Sequence, residues 1–431
     1  MKISTPSLPT LRQSTMASPS QRLSIGPWPG GLTLQAKEAE KDATGSQQYL
    51  IECLNMDVTD EGFLISRAGV QRVGVKNTHY TDSNRECKVL GSVFENGNIY
   101  AVMGIQVSGT STKIYLTANG YDLYYYGSLT GLISSVQQYN NVIYLTREDA
   151  DSGYSIANNF FTWPAATPNA SATVSTMPRG DKSFVFKDRL FIVQKSVSQV
   201  NFSAPADPTD YTTDSGGGYF IVDPANDVGA QIMDIVLTNE TFYIFKRNST
   251  YLFAYDANPN DDGILRLINA TLGAFSATTW ENDIYVINAR GVYRIVNGVF
   301  IRLDEQLNLA YNADLASIIN PEDLNKPRFI HASAGRLLVG QFSNDVLNKF
   351  GWNFVSMNLQ NGAWSGYKYK TDGTAPGGQG VTAQQDDKWG VEIYPSVNGD
   401  YFSRVSTSKG AKDYTLDGTA SDTTEKRYIP K

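Results

Sequence analysis

The sequence predicts an all-β protein, a β-propeller of about six to seven blades preceded by an extended N-terminal arm. Three observations carry this. Aromatic residues make up 12% of the 431-residue chain, 25 of them tyrosines, beside 37 glycines. Such a mixture favours short strands joined by tight turns. Within the central region, runs of alternating apolar character are separated by Asn, Asp or Gly, the signature of hairpins. The hairpins also recur. Aligned on Tyr100, Tyr144, Phe191, Tyr243, Tyr285 and Leu338, the copies are separated by 44, 47, 52, 42 and 53 residues. A period of about 40 to 50 residues with several strands per unit is that of propeller blades, which must pack together to cover their apolar faces. Tandem β-sandwiches also use short strands at regular spacing, and they stand as the alternative fold.

In chain order, residues 1–47 are rich in Pro, Ser, Thr and Gln until "GPWPGGLTL". A segment of this kind buries too little surface to offset its ordering entropy, so it reads as an extended or disordered arm. Residues 48–405 hold the repeats, from "SVFENGNIYAVMG" through "SFVFKDRLFIVQKS" and "DIVLTNETFYIFKRN" to "GDYFSRVST". Residues 406–431 read as a polar C-terminal tail. Short helices are expected over 321–329 and within "DEQLNLAYNADLASII", where Leu307, Leu309, Leu315 and Ile318 have roughly helical spacing.

The formal charge of −7, with no basic block, excludes a chain that grips nucleic acid. It is compatible with an acidic conduit that must not bind its cargo. The two cysteines, Cys53 and Cys87, form no disulfide framework. No apolar window approaches the roughly 18 residues of a membrane span, and the N-terminus lacks the apolar run of a signal peptide. Synthesis and assembly in a cytoplasm are expected.

Little in the sequence points to catalysis. The two histidines, His79 and His331, stand far apart and near no cysteine, which disfavours a zinc centre or a Ser-His-Asp triad. Neither a phosphate-cradling Gly-rich loop followed by Lys-Ser/Thr nor a Gly-x-Ser-x-Gly elbow is present. We therefore expect no enzyme, no catalytic residue, no metal and no cofactor. Asp207, Asp210, Asp214, Asp223 and Asp227 are dense enough to suggest paired glycosidase carboxylates, but Asp, Pro and Gly are also what turns require. "DANPNDDG", Asp256 to Gly263, spaces its oxygen ligands like a calcium loop yet lacks the distal glutamate, so a turn is the favoured reading. The residues singled out for interaction are Asp207 and Asp210 in "NFSAPADPTDYTTDSGGGYF", and Tyr124, Tyr125 and Tyr126 in "YDLYYYGSL". Alternation puts Tyr124 and Tyr126 on one strand face and Tyr125 on the other, and tyrosines on an outer face suit an interface.

Three segments carry a family likeness. The first is "GGLTLQAKEAEKDATGSQQYLIECLNMDVTDEGFLISRAGVQRVG", with Leu54, Asn55, Asp57, Arg67 and Gly69. The second runs from "DRLFIVQKS" through "SAPADPTD" to "GGGYFIV". The third is the hairpin with Phe245, Lys246, Arg247, Ser249 and Tyr251. Over about residues 50–405 the chain resembles tailed-bacteriophage virion proteins of the tail-nozzle and minor tail protein type. Such nozzle proteins are usually longer, with extra domains, so the likeness implies a compact ring component or minor tail protein. It implies a non-enzymatic structural protein of the phage tail, made in the bacterial host cytoplasm and assembled into a symmetric ring, a hexamer by expectation. Its partners would be further copies of itself, an adaptor ring, a fibre or the tail tip, with DNA passing through the lumen and contact with the host surface possible. The alternative function is a propeller that binds or cleaves host-surface carbohydrate.

Overall fold

The computed structural model describes residues 31–32; 49–60 except 55; 64–73 except 67 and 68; and 87–157 except 96, 97, 109 and 118–123. It further describes 172–222; 231–309 except 308; 328–341 except 334; 354–367; 393–404 except 397 and 398; 412–418; and 427–430. These residues form a β-propeller.

The first blade is Cys87–Glu95, Asn98–Ser108, Ser111–Thr117 and Tyr124–Thr130. The second is Ile133–Tyr139, Val142–Arg147, Gly153–Ala157 and Thr173–Ser175. The third is Lys182–Phe186, Arg189–Gln194, Gln199–Phe202 and Gly218–Ile221. The fourth is Ile232–Leu237, Phe242–Lys246, Thr250–Ala254 and Ile264–Asn269. The fifth is Ser276–Trp280, Asp283–Asn288, Gly291–Val296 and Val299–Arg302. Each is a four-stranded antiparallel meander paired in sequence order.

The hairpin turns explain why the chain doubles back so tightly. Lys187 and Asp188 both take positive φ, 43° and 64°, as do Asn140 and Asn141. That handedness matches the twist of the flanking strands. The aligned aromatics Tyr100, Tyr144, Phe191, Tyr243 and Tyr285 all lie buried on the second strand of their blades. The sequence period is therefore the blade period.

The sixth and seventh blades are built differently. Arg328–Ser333, Arg336–Gln341, Phe354–Asn358 and Trp364–Tyr367 form the sixth. Its outer edge is extended by Gly31–Leu32, parallel to Trp364–Tyr367, then by Tyr49–Leu54, and finally by Arg427–Pro430 running antiparallel. The seventh blade takes Ile393–Ser396, Gly399–Arg404 and Lys412–Gly418 from the end of the chain and Gly69–Val73 from its beginning. Strands from both chain ends thus share one sheet, whose Ile393–Ser396 lies against the first blade.

Several sequence expectations change here. The 406–431 stretch, read as a polar tail, supplies Lys412–Gly418 to the seventh blade and Arg427–Pro430 to the sixth. Polar composition misled because strands near the rim of a blade need no apolar face. The arm assigned to 1–47 holds Gly31–Leu32 in a sheet. Of the helix expected over 321–329, Arg328 and Phe329 open a strand and residues 321–327 lie outside the described residues. Asp304, Glu305, Gln306 and Leu307 form a turn rather than the start of a helix, and residues 310–318 again lie outside.

Polar side chains stitch the first strands of successive blades together. Gln138 pairs with both the N–H and the carbonyl of Phe94, at 2.7 and 2.9 Å. The Ser183 hydroxyl meets Ser135 at 3.0 Å. Lys182 reaches Asp234 at 2.7 Å, and the other Asp234 oxygen accepts the Ala277 N–H at 2.9 Å, joining blades three, four and five. Between these contacts lie apolar layers. Phe184, Phe186, Phe191, Phe202, Phe242 and Phe253 interlock between blades three and four, with ring centroids 5.1–5.9 Å apart for neighbouring pairs such as Phe242–Phe253 and Phe191–Phe202. Trp364, fully buried, anchors the corresponding layer between blades five and six.

Candidate interaction surface

The loop from Ser203 to Gly217 connects the last two strands of the third blade, on the end that also carries the Lys187–Asp188 turn. Its shape comes from short-range chemistry. Asp207 accepts the Thr209 N–H and hydroxyl at 3.0 and 2.8 Å, and Asp210 does the same for Thr212 at 2.8 and 2.7 Å. Both aspartates therefore act as Asx caps, one turn after another. The Ser215 hydroxyl, and then the Thr212 N–H and hydroxyl, hold the Asp210 carboxyl below the usual carboxylate range. Gly216 takes φ 86°, the left-handed conformation that lets the chain turn back. An added Cβ on Gly217 would lie 2.6 Å from the Tyr211 carbonyl carbon.

Two long side chains fix this loop to the blades on either side. The Tyr211 ring packs towards Tyr139, Tyr144, Leu190 and Ile192, at the seam between blades two and three. Burial pushes the Tyr211 phenol well above its ordinary range. On the other side stands Arg189, buried at 2% exposure. Its guanidinium donates to the carbonyls of Ser203 at 2.7 Å, Gly216 at 2.6 Å and Ala257 at 3.3 Å, and lies over the Phe202 ring. The two ends of the loop are thus tied to one cation, which also holds the fourth blade. Desolvation lowers the Arg189 pKa from its ordinary value, because burial disfavours the charged form. Asn260 completes the clamp, donating to Gly217 at 2.8 Å. Sequence reasoning missed Arg189, because an Asp-Arg pair at a hairpin looks solvated.

The neighbouring "DANPNDDG" segment is a single helical turn, Pro259–Asp262, capped by Asn258. Asp262 accepts the Ala257 N–H at 2.7 Å and the Asn258 N–H at 3.2 Å, and these bonds hold its carboxyl below the usual range. Its acids serve the turn itself. Among the described residues no three His, Cys, Asp or Glu side chains are placed to hold a metal ion, and no helix is long and apolar enough to cross a membrane.

Asp188, Asp207, Asp214, Glu240, Asp256, Asp261 and Glu281 are exposed on turns and loops at this same end of blades three to five. Lys187 stands at this end too, 3.6 Å from Glu240 and donating to the Tyr255 carbonyl at 2.5 Å. The described loops of blades three to five at this end are therefore acidic. Asp223 and Asp227 lie outside the described residues.

In the first blade, Tyr124 pairs with Leu116 in the outer strand, and its side chain lies outside the described residues. The three tyrosines do not form one surface. Tyr126 occupies a register shift and turns into the core, 6% exposed, where burial pushes its phenol up to about 12. Tyr125 faces outward at 40% exposure, its hydroxyl 2.8 Å from Ser128 and its ring beside Tyr115. A bulge adds a residue to one strand and re-aims its side chain, so Tyr125 faces outward while Tyr126 is taken up by the core.

The apolar surface that the sequence did not single out lies on the rims of blades three, four and five. Tyr219 and Ile221, Ile264 and Leu267, and Val299 and Ile301 are all 42–64% exposed on outermost strands. The sixth blade differs in carrying further strands on its rim. A hairpin, Met56–Val58 with Leu64–Ser66, leads into Thr59 and Asp60, which meet Asn361 and Asn358 of that blade at 2.8 and 2.7 Å.

No protein-family model and no curated protein matches the chain. Among solved structures it is similar to an ancestral GH74 enzyme, at 9% identity and TM-score 0.46, covering 88% of this chain and 53% of that one. It is also similar to BamB from Moraxella catarrhalis, at 11% identity and TM-score 0.43, covering 81% and 99%. The AfRom2 CNH domain matches at 8% identity and TM-score 0.43, covering 79% and 99%. Likeness at this level concerns the arrangement of strands and says nothing of activity.

Proposed function

We propose that this propeller is a structural subunit of a bacteriophage tail, of the nozzle or tail-ring kind, which works by assembly. The resemblance of its three segments to that family supports the virion placement. The observation that carries the structural reading is the sixth blade, whose rim accepts strands from both chain ends. A perimeter that receives added strands suits subunit-to-subunit contact through main-chain hydrogen bonds. Copies joined through their perimeters close into a ring, hexameric by expectation, with an adaptor ring, fibre or tail tip as neighbours. The acidic loops would repel phosphate, so that DNA passes without sticking. Asp207 and Asp210 shape the loop in this reading, and neither acts in chemistry.

Mass spectrometry and electron microscopy of purified virions test the proposal. The polypeptide should be present in stoichiometric, symmetric copies in mature particles. Its absence would refute the virion role, and reducing-end release from host polysaccharide by the purified chain would favour a carbohydrate-cleaving propeller.

A further inference from the structure

We propose that the rim of the fourth blade, Ile264–Asn269, is the docking strand for residues 1–30 of a second copy of this chain. The edge has the properties of a strand acceptor. It pairs on its inner side with Thr250–Ala254 and, among the described residues, ends its sheet. Ile264 and Leu267 lie on opposite faces of the strand, and both are exposed, at 64% and 42%. An edge of this kind is a template for another chain.

The donor is identified by precedent and by charge. This molecule already adds extended segments to a blade rim, and the first of them, Gly31–Leu32, follows directly on residues 1–30. Those thirty residues carry Lys2, Arg12 and Arg22 and no Asp or Glu, in a chain of net charge −7. The fourth-blade edge begins beside Asp261 and Asp262, on the acidic end that also presents Asp256 and Glu240. A cationic arm therefore meets the acidic loops as it reaches the apolar strand. Between Pro9 and Pro19 lies a proline-free run containing Leu11, Arg12 and Met16, longer than the edge it would pair with. Fully extended, thirty residues span about 100 Å, enough to leave one perimeter and reach the next.

The assignment to a second copy rests on the ring-forming reading above. An arm given by each subunit to its neighbour is a heterologous contact, the kind that closes rings. The test uses full-length chains. Unlabelled protein with a photoreactive phenylalanine at Gln13 is mixed with isotopically heavy protein and irradiated, and cross-linked peptides are read by mass spectrometry. Light-arm to heavy-edge peptides spanning 264–269 are expected. Leu267→Lys and the double variant Arg12→Glu, Arg22→Glu should each weaken self-association about tenfold or more, with the charge variant losing its effect in high salt. Cross-links confined to light-arm with light-edge peptides, or to other sites, overturn the inference, as does undiminished association of both variants. Either result leaves presence in the virion standing, whereas arm exchange by a chain missing from particles refutes the virion role alone.

Discussion

Arg189 offers the sharpest test of how the third blade holds its loop. Arg189→Met keeps most of the stem and its contact with Phe202 but removes the donors to Ser203, Gly216 and Ala257. Ser203 is fully buried, and a buried acceptor left without its donor costs about 1–3 kcal/mol. Gly216 is half-buried, so water can replace the guanidinium there at lower cost. In the opposite direction, the variant no longer buries a cation, and removing a buried charge can recover part of the loss. The balance predicts about 1–3 kcal/mol of destabilisation for Met and about 1–2 kcal/mol for Lys, which keeps the charge but not the fork. Urea denaturation measures the total. Hydrogen exchange locates it: the amides of Ala204 and Gly217, bonded to Asp210 and Thr212, should lose protection before those of Phe191 and Val193. Stability within about 0.5 kcal/mol of the parent, together with unchanged exchange in the loop, would refute the clamp.

Other consequences follow from the same geometry. Desolvation raises the Asp234 pKa, but the charges of Lys182 and Lys195, the Lys182 bond and the Ala277 N–H outweigh it, leaving the carboxyl below its ordinary 3.8. Its contribution is therefore complete above about pH 4 and lost as pH falls through the folded value. Asp234→Asn should destabilise at pH 7, and in thermal melts its deficit should shrink towards pH 2; a deficit constant across that range contradicts the linkage. Tyr211→Phe removes a buried hydroxyl that has no hydrogen-bond partner, so it should raise stability by up to about 1 kcal/mol, and a clear loss would reveal a missed partner. A Cβ at Gly273 would overlap the Lys246 carbonyl oxygen, and Gly273→Ala should cost about 2 kcal/mol or more in urea titrations. Removing residues 412–431 deletes the strand joining Gly399–Arg404 to Gly69–Val73. Its calorimetric transition should fall or split, and an unchanged transition would show that the seventh blade does not hold the propeller together.

What was legible in the sequence is what lies close together along it. Asn140–Asn141 and Asn297–Gly298 announce hairpins because their side chains, or the lack of one, tolerate positive φ. The aligned aromatics recur because each second strand must fill the same layer between blades. Contacts across the molecule leave no such mark. Gly69–Val73 reads like any short strand, and nothing in it names Lys412–Gly418 as its partner. The loop aspartates were readable as turn formers because an Asx cap is made with a residue two positions away. Their anchor, Arg189, was not, since its acceptors lie up to 68 residues distant. Tyr126 shows a subtler limit. Strict alternation fixed its side of the strand relative to Tyr125, but only the neighbouring strand and its register shift decide that this side is the core.

The same contrast bears on assembly. A blade rim can be closed by whichever extended segment reaches it, because the bonds are made by the main chain and the side chains only select. In the sixth blade those segments are Gly31–Leu32, Tyr49–Leu54 and Arg427–Pro430, drawn from both chain ends. The fourth blade has an edge of six residues with apolar groups on both faces, which is costly to leave in water and prone to pairing without control. A neighbour's arm that is cationic beside acidic loops would satisfy that edge while excluding a second copy's identical edge, whose own Asp261 and Asp262 would be repelled in parallel pairing. On the proposed reading the charge on the loops would have a second purpose besides keeping DNA off the surface: choosing which strand may pair.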